Sequence, residues 1–273
     1  MIAIDHPSSM TTGSIRSEYV SWSQMWTFRQ CPLKFRFRYL DRIEPEHVAS
    51  SLLVGSSIHS AIEMLHRRQL AGEVVPDLDE LVTEFWESWK ERTEDSPVVR
   101  FNKSEDLNSI HELADRMLKA FLASDDSVVS SRVIGIEESL SEEVLEGERP
   151  LLGIIDLIYE DDGKVVIRDY KTSRSRWNQG NAEASAGQIL LYGELVRKLL
   201  PNTPVSFEFV VISKAKSPTV ERFEIEPSAK RLSRTKVVAN RTLEAIETGL
   251  FYPVKTPMCS TCTYRSACAA WKG

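Results

Sequence analysis

No apolar run in the 273-residue chain approaches the roughly 20 residues needed to cross a bilayer. Residues 1–14 have neither the basic start nor the apolar core of a signal peptide. Both absences point to the cytoplasm and away from any membrane partner. A Gly-x4-Gly-Lys-Ser/Thr loop is missing, which excludes a P-loop ATPase. Positive charge is in short supply: 34 Lys and Arg face 40 Asp and Glu, for a formal charge of −6. That argues against a generally basic coat, yet a local basic groove is compatible with it. Cysteine is limited to four, too few and too unevenly spaced for a disulfide frame in a reducing compartment, so metal ligands or free thiols are expected. There is no internal repeat and no low-complexity tract. What remains is an ordinary globular composition, 42% hydrophobic and 27% charged, long enough for one large domain or a core with an appended lobe.

The informative stretch is Gly153-Ile154-Ile155-Asp156-Leu157-Ile158-Tyr159, followed by Val165-Val166-Ile167-Arg168-Asp169-Tyr170-Lys171-Thr172. Each half is an apolar, β-branched run of strand length, and Glu160-Asp161-Asp162-Gly163-Lys164 between them has hairpin-turn chemistry. Side chains alternate along a strand, so Asp169 and Lys171 share a face and Tyr170 takes the other. Pairing of the two strands can bring Asp156 onto the face of Asp169. Two carboxylates and an ammonium at the end of a buried hairpin are costly unless they bind something. A divalent metal on oxygen ligands with a lysine beside it is the simplest answer. An ordinary edge hairpin with surface charges is the plain alternative.

Residues 1–18 are polar and expected to be loose. Ser21-Trp22-Ser23-Gln24 reads as a capping box opening a helix to about Arg29, with Trp22, Met25 and Trp26 on one face. Cys31-Pro32 resets the backbone. Phe35, Phe37, Tyr39 and Leu40 then alternate with Arg36, Arg38 and Arg42, which suits either a strand-tracking groove or a core helix with solvated arginines. Residues 54–63 open a further helix, capped by Ser56 or Ser57 and carrying His59, a position where a lone histidine is usually a core residue. Helices are expected at about 78–92 and 105–123, with 94–104 as linker. From Arg132 strands take over, and residues 133–137 lead through an acidic loop to the hairpin. A helix over 182–199 puts Gln188 and Tyr192 one turn apart. Strands at 205–212 and 219–225 and a long basic helix at 227–248 complete the pattern. The tail holds Cys259-x2-Cys262-x5-Cys268, three closely spaced thiols that need a fourth ligand for a closed site unless they are unrelated free thiols; the one other cysteine is Cys31. Zinc and an iron–sulfur cluster both fit four thiolates.

In this order the motifs resemble the RecB-like branch of the PD-(D/E)XK nuclease superfamily, in particular its iron–sulfur exonucleases of the CRISPR-associated RecB-like and AddB nuclease-domain type. The matching residues are Ser21-x-Ser23 with Cys31-Pro32, Gly55-x3-His59, Gly153-Ile154-Ile155-Asp156, Asp169-Tyr170-Lys171-Thr172, Gln188-x3-Tyr192 and the terminal cysteines, spanning nearly the whole chain. The resemblance implies an α/β fold with a mixed central sheet flanked by helices, an N-terminal helical region and a C-terminal iron–sulfur lobe. It implies a division into a flexible 1–18, a helical 19–131 carrying Cys31 and His59, a nuclease core at 132–250 and a cysteine lobe at 251–273. By the same resemblance Asp156, Asp169, His59 and the backbone carbonyl of Tyr170 hold Mg²⁺ or Mn²⁺. Lys171 serves the attacking water and the charge on phosphate, and Gln188 and Tyr192 position lysine and strand. Glu137 falls where some relatives carry an acid. Cys31, Cys259, Cys262 and Cys268 hold a structural [4Fe–4S] cluster. The implied activity is metal-dependent DNA exonuclease, on single strands or ends, in recombination, repair or phage- or CRISPR-linked processing. A non-catalytic nucleic-acid-binding subunit is the alternative. Partners would be DNA and recombination, helicase or CRISPR-adaptation proteins, since the chain has no motor of its own. The oligomeric state is left open.

Overall fold

The computed structural model describes residues 18–94, 98–147 and 149–273. The expected loose N-terminus, apart from its last residue, lies outside them. The element order is β1 (Val20–Ser21), α1 (Trp22–Gln30), α2 (Pro32–Phe35), a π-helical turn (Arg36–Leu40), β2 (His47–Ala49), α3 (Ser50–Leu70), α4 (Leu78–Glu94), β3 (Val98–Arg100) and α5 (Leu107–Leu122). Strands β4 (Arg132–Glu142), β5 (Leu151–Asp161) and β6 (Lys164–Ser173) follow, then α6 (Gln179–Ser185), α7 (Gly187–Leu199), β7 (Val205–Ser213), β8 (Val220–Ile225), α8 (Ala229–Glu247) and α9 (Arg265–Ala270).

The principal sheet runs β1-β5-β6-β7-β8, with β4 on the other edge of β5. It is mixed: β4, β5 and β6 are antiparallel neighbours, β6 and β7 are parallel, and β7 and β8 antiparallel. The parallel step needs a crossover, and α6 and α7 supply it. The β5–β6 turn is the tight one its sequence announces. Asp162 and Gly163 both take positive φ between the paired Asp161 and Lys164, as a primed hairpin turn requires.

Each sheet face is covered. Helices α1, α7 and α8 pack on one side over Ile155, Ile167, Phe207 and Phe209. Helices α3, α4 and α5 pack on the other over Leu157, Val166, Tyr170 and Val210. The two cores explain the near-continuous apolar runs of β6 and β7, which are buried on both faces. A third, small cluster of Leu33, Phe37 and Tyr264 joins the C-terminal lobe to the start of the chain.

Four local expectations are corrected. The His59 helix begins at Ser50 rather than at a Ser56 or Ser57 cap, and Ser57 is a buried interior residue. The helix expected over 182–199 is two helices separated at Ala186, next to Gly187, whose missing side chain leaves room for the Trp22 ring tip. The 94–104 linker contains β3, which pairs in parallel with β2. The acidic segment after residue 137 is not a loop at first, since β4 continues to Glu142. Between the two readings of residues 34–42 the core one holds: Phe35 and Phe37 are buried, Arg36 pairs with Asp41, and Arg38 lies over Tyr39.

Candidate active site

The site forms where two strands part. β4 accompanies β5 along one edge for nearly its whole length. On the other edge β6 pairs only as far as Leu157–Arg168, and β1 takes over at Leu151 and Leu152. Residues 153–156 line the fork between them. Asp156 turns its carboxylate into this fork, where Oδ2 accepts a hydrogen bond from the Tyr170 backbone N–H at 2.7 Å. This bridge substitutes for the ladder bond that the divergence removes, and it fixes Asp156 one residue away from both Asp169 and Lys171.

Three more elements converge there. α3 brings His59, whose Nδ1 lies 3.5 Å from Asp156 Oδ2. β4 brings Glu137, which sits between the pairs Ile136↔Leu157 and Glu138↔Ile155 at a φ of 49°. That left-handed backbone is uncommon for a residue with a Cβ, and it re-aims the carboxylate toward the fork. Ligand atoms of His59, Glu137 and Asp156 all lie within 4.8 Å of one another. On β6, Lys171 Nζ is 2.6 Å from Asp169 Oδ2. The pair is made off the hydrogen-bonding directions, so this buried Asp169 oxygen still has a hydrogen bond unmade. From α7, Gln188 Oε1 accepts from Lys171 Nζ at 3.4 Å, and Gln188 Nε2 donates to the Tyr192 hydroxyl at 3.1 Å.

Helix α7 can approach this closely because residue 153 has no side chain. A Cβ at Gly153 would lie 2.7 Å from Leu195 and 2.8 Å from Tyr192. The glycine of the Gly-Ile-Ile-Asp strand and the tyrosine of Gln-x3-Tyr are thus two sides of one contact.

The electrostatics are those of a cation site. Burial, then Asp169, raise the Asp156 pKa, against the pull of Lys171. Burial, then Asp156 and Glu63, push Glu137 up to about 7. Burial lowers the His59 pKa and so favours the neutral imidazole that ligates metals. Lys171 is raised: Asp169 and Asp156 outweigh its own desolvation, so its ammonium stays charged. The chemistry of the donors fits a hard divalent ion: clustered carboxylates, a neutral imidazole and an aspartate oxygen lacking a hydrogen bond.

The four sequence-selected cysteines also come together. All are free thiols, and burial, then the neighbouring Cys31, Cys262 and Cys259, raise the Cys268 pKa. Cys31, Cys262 and Cys268 pack around Leu33, Phe37 and Tyr264 with Trp271. The lobe is tied down by Leu33 N–H to Tyr252 O, Glu46 N–H to Thr263 O and Ser266 N–H to Glu46 Oε1.

One group escaped sequence reasoning. Behind β6, Arg168 is buried against Glu208 and Asp126, which also holds Arg222. The Tyr170 hydroxyl lies 2.6 Å from His66 Nε2 and is approached by Arg168 Nη1 at 3.4 Å. The available signal was Arg168 itself, a charge inside an apolar strand.

A family model described as "PD-(D/E)XK nuclease superfamily" matches residues 19–269. The chain belongs to that superfamily. Among solved structures, the crystal structure of a "Putative exonuclease" from Eubacterium rectale is similar at 15% identity and a TM-score of 0.57, with 94% of both chains covered. The crystal structure of SSO0001 matches at 15% identity and a TM-score of 0.36, covering 90% of this chain and 95% of that one. No curated protein matches. Among the described residues, no helix is long and apolar enough to cross a membrane.

Proposed function

We propose that the protein is a metal-dependent DNA exonuclease acting on single strands or DNA ends. The observation that carries this reading is the fork of β5 and β6, where His59, Glu137 and Asp156 gather and the Lys171–Asp169 pair lies on the adjoining strand. His59, Asp156, Asp169 and the Tyr170 carbonyl would hold Mg²⁺ or Mn²⁺, with Glu137 next to them. Bound there, the ion would supply Lewis acidity toward phosphate and lower the pKa of water.

The chain's own groups divide the remaining work. Lys171, held charged by Asp169 and Asp156, balances charge on the non-bridging phosphate oxygens and orients the attacking water. Gln188 fixes the ammonium through its Oε1 and is itself braced by Tyr192. Placing Asp169 and Lys171 two residues apart on a buried strand gives the preorganisation that phosphoryl chemistry requires. In this reading the helical region 19–131 lends His59 to the 132–250 core and Cys31 to the 251–273 lobe. The lobe would carry a structural [4Fe–4S] cluster, as in the iron–sulfur RecB-like branch. Brown colour and visible absorbance of the purified protein would separate cluster from zinc. A role in recombination, repair or CRISPR-linked processing, beside a partner that supplies unwinding, follows from the same resemblance.

The test is digestion of end-labelled linear single-stranded DNA beside a covalently closed circle, with Mn²⁺ or Mg²⁺ and with EDTA. Metal-dependent loss of the linear substrate alone is expected, and Lys171→Ala should reduce it by about 10²–10⁴-fold while leaving folding and cluster content intact. Full activity in that variant would remove the mechanism. No cutting by folded, cluster-loaded protein would turn the reading to a nucleic-acid-binding subunit.

A further inference from the structure

A cavity of about 630 Å³ opens outward from Lys171, Gln188 and Tyr192 between α1, α7 and α8. Its mouth is aromatic and basic. Trp22 and Trp26 stack at 6.4 Å with an interplanar angle of 15°, and Trp26 is left 47% exposed. Trp177 stands on the wall nearer the sheet, edge-on to Phe209. Arg29 lies over the Trp26 ring at 5.4 Å, and Arg234 reaches in from α8. Among the described residues neither arginine has a carboxylate partner, whereas Arg231 is paired with Glu183 at 3.3 Å.

A half-exposed indole offers a free π-face, and two guanidinium groups without acids beside it are free to meet anions. Together they match an unpaired polynucleotide, whose bases offer π-faces and whose backbone offers one charge per residue. A paired duplex keeps its bases stacked on each other and cannot present them to Trp26. Overall the chain is acidic, so these groups are a local feature rather than part of a basic coat.

We infer that this cavity is the single-strand entry groove of the site, with Trp26 as the stacking platform for an incoming base and Arg29 and Arg234 as phosphate contacts. The inference rests on the nuclease reading for the identity of its occupant and extends it to a strand preference. The groove selects single strands by stacking, tolerates any sequence, and delivers the backbone to Lys171 from the α1–α8 side.

Binding can be measured without chemistry, by anisotropy of a fluorescein-labelled oligothymidylate in EDTA, with an unlabelled duplex of mixed sequence as competitor. Trp26→Ala should weaken binding about tenfold, and Trp26→Phe should restore most of it. Arg234→Ala should make the log–log salt dependence shallower by about 0.7. Wild-type affinity in both Trp26→Ala and Arg234→Ala, or a duplex that competes as well as a single strand, would overturn the groove. Those outcomes leave the nuclease reading standing if the metal-dependent digestion still occurs. Conversely, Trp26-dependent binding without any cleavage would keep the groove and sink the nuclease.

Discussion

At the scale of single residues, the site is built by placing like charges where they would repel unless a cation sits among them. Asp156 is the sharpest case. Its folded pKa is raised by burial and by Asp169, so the native state holds that proton more tightly than the unfolded chain does. Stability from this group is therefore full below the unfolded carboxylate range and is lost as pH rises through the folded value. In EDTA at pH 8, Asp156→Asn should melt higher than the wild type by about 3 °C or more, and the gap should close near pH 4. Mn²⁺ should raise the wild-type melting point and leave the variant's unchanged; equal responses would remove Asp156 from the ligand set. His66 behaves in the opposite sense. Burial lowers it to about 4; Nδ1–H donates to Gln69 Oε1 and Nε2 accepts from Tyr170, so it is held neutral. Stability from this group is full above about 6.5 and is lost as pH falls toward 4, by about 3 kcal/mol at most. Urea unfolding of His66→Gln should show a smaller loss between pH 7 and 4.5 than the wild type; an identical loss would mean the histidine is not held neutral. Asp156, Asp169 and Lys171 were legible because strand alternation alone allows them to meet. Glu137 was reached only through the resemblance, because the β4–β5 register that sets it opposite Asp156 is a long-range pairing its own neighbours do not announce.

At the scale of elements, periodicity located most helices and strands, and tertiary contacts decided their ends. The Ser21 capping box opens α1 as expected, with Gln24 closing it. Apolar spacing over 182–199 is continuous and gives no sign of the break at Ala186. Beside the break, the space a side chain at Gly187 would need is filled by Trp22, a residue more than 160 positions away. In β3, three residues acquire strand geometry only because β2 runs beside them. Where two motifs touch, each can be read as the other's condition. A methyl group at residue 153 would have to displace Tyr192 and Leu195, moving the helix that carries Gln188. Gly153→Ala should therefore cost about 1–3 kcal/mol, lowering the melting point by about 3–9 °C. It should also lower cleavage beyond what the lost folded fraction explains. A variant that melts and cleaves like the wild type would show that α7 does not set the position of the Lys171–Gln188 pair.

At the scale of the whole molecule, the cysteines bring the C-terminal lobe against the residues that follow α1. Without a bound group the C-terminal lobe is held by a small apolar cluster and a few hydrogen bonds to residues 33 and 46. Its core is Leu33, Phe37 and Tyr264, and its α9 has 6 residues, well below the length at which an isolated helix is stable. On the proposed reading, a lobe of this size would depend on the group its thiolates hold, as small metal-stapled domains do. The tether also reaches further than the lobe. Cys31 is the C-cap of α1, and the body of that helix carries Trp22 and Trp26 at the groove, whereas His59, Asp156, Asp169 and Lys171 sit on α3, β5 and β6. Losing the bound group should therefore loosen the lobe first, α1 and the groove next, and the carboxylate fork last. Cys262→Ala is expected to lose visible absorbance, to melt several degrees lower, and to expose residues 251–258 to limited proteolysis. Its affinity for single strands should fall by more than its turnover at saturating DNA. If the variant lacks the absorbance yet melts with the wild type, the group is not structural. If turnover falls while affinity holds, the tether acts on the fork rather than on α1.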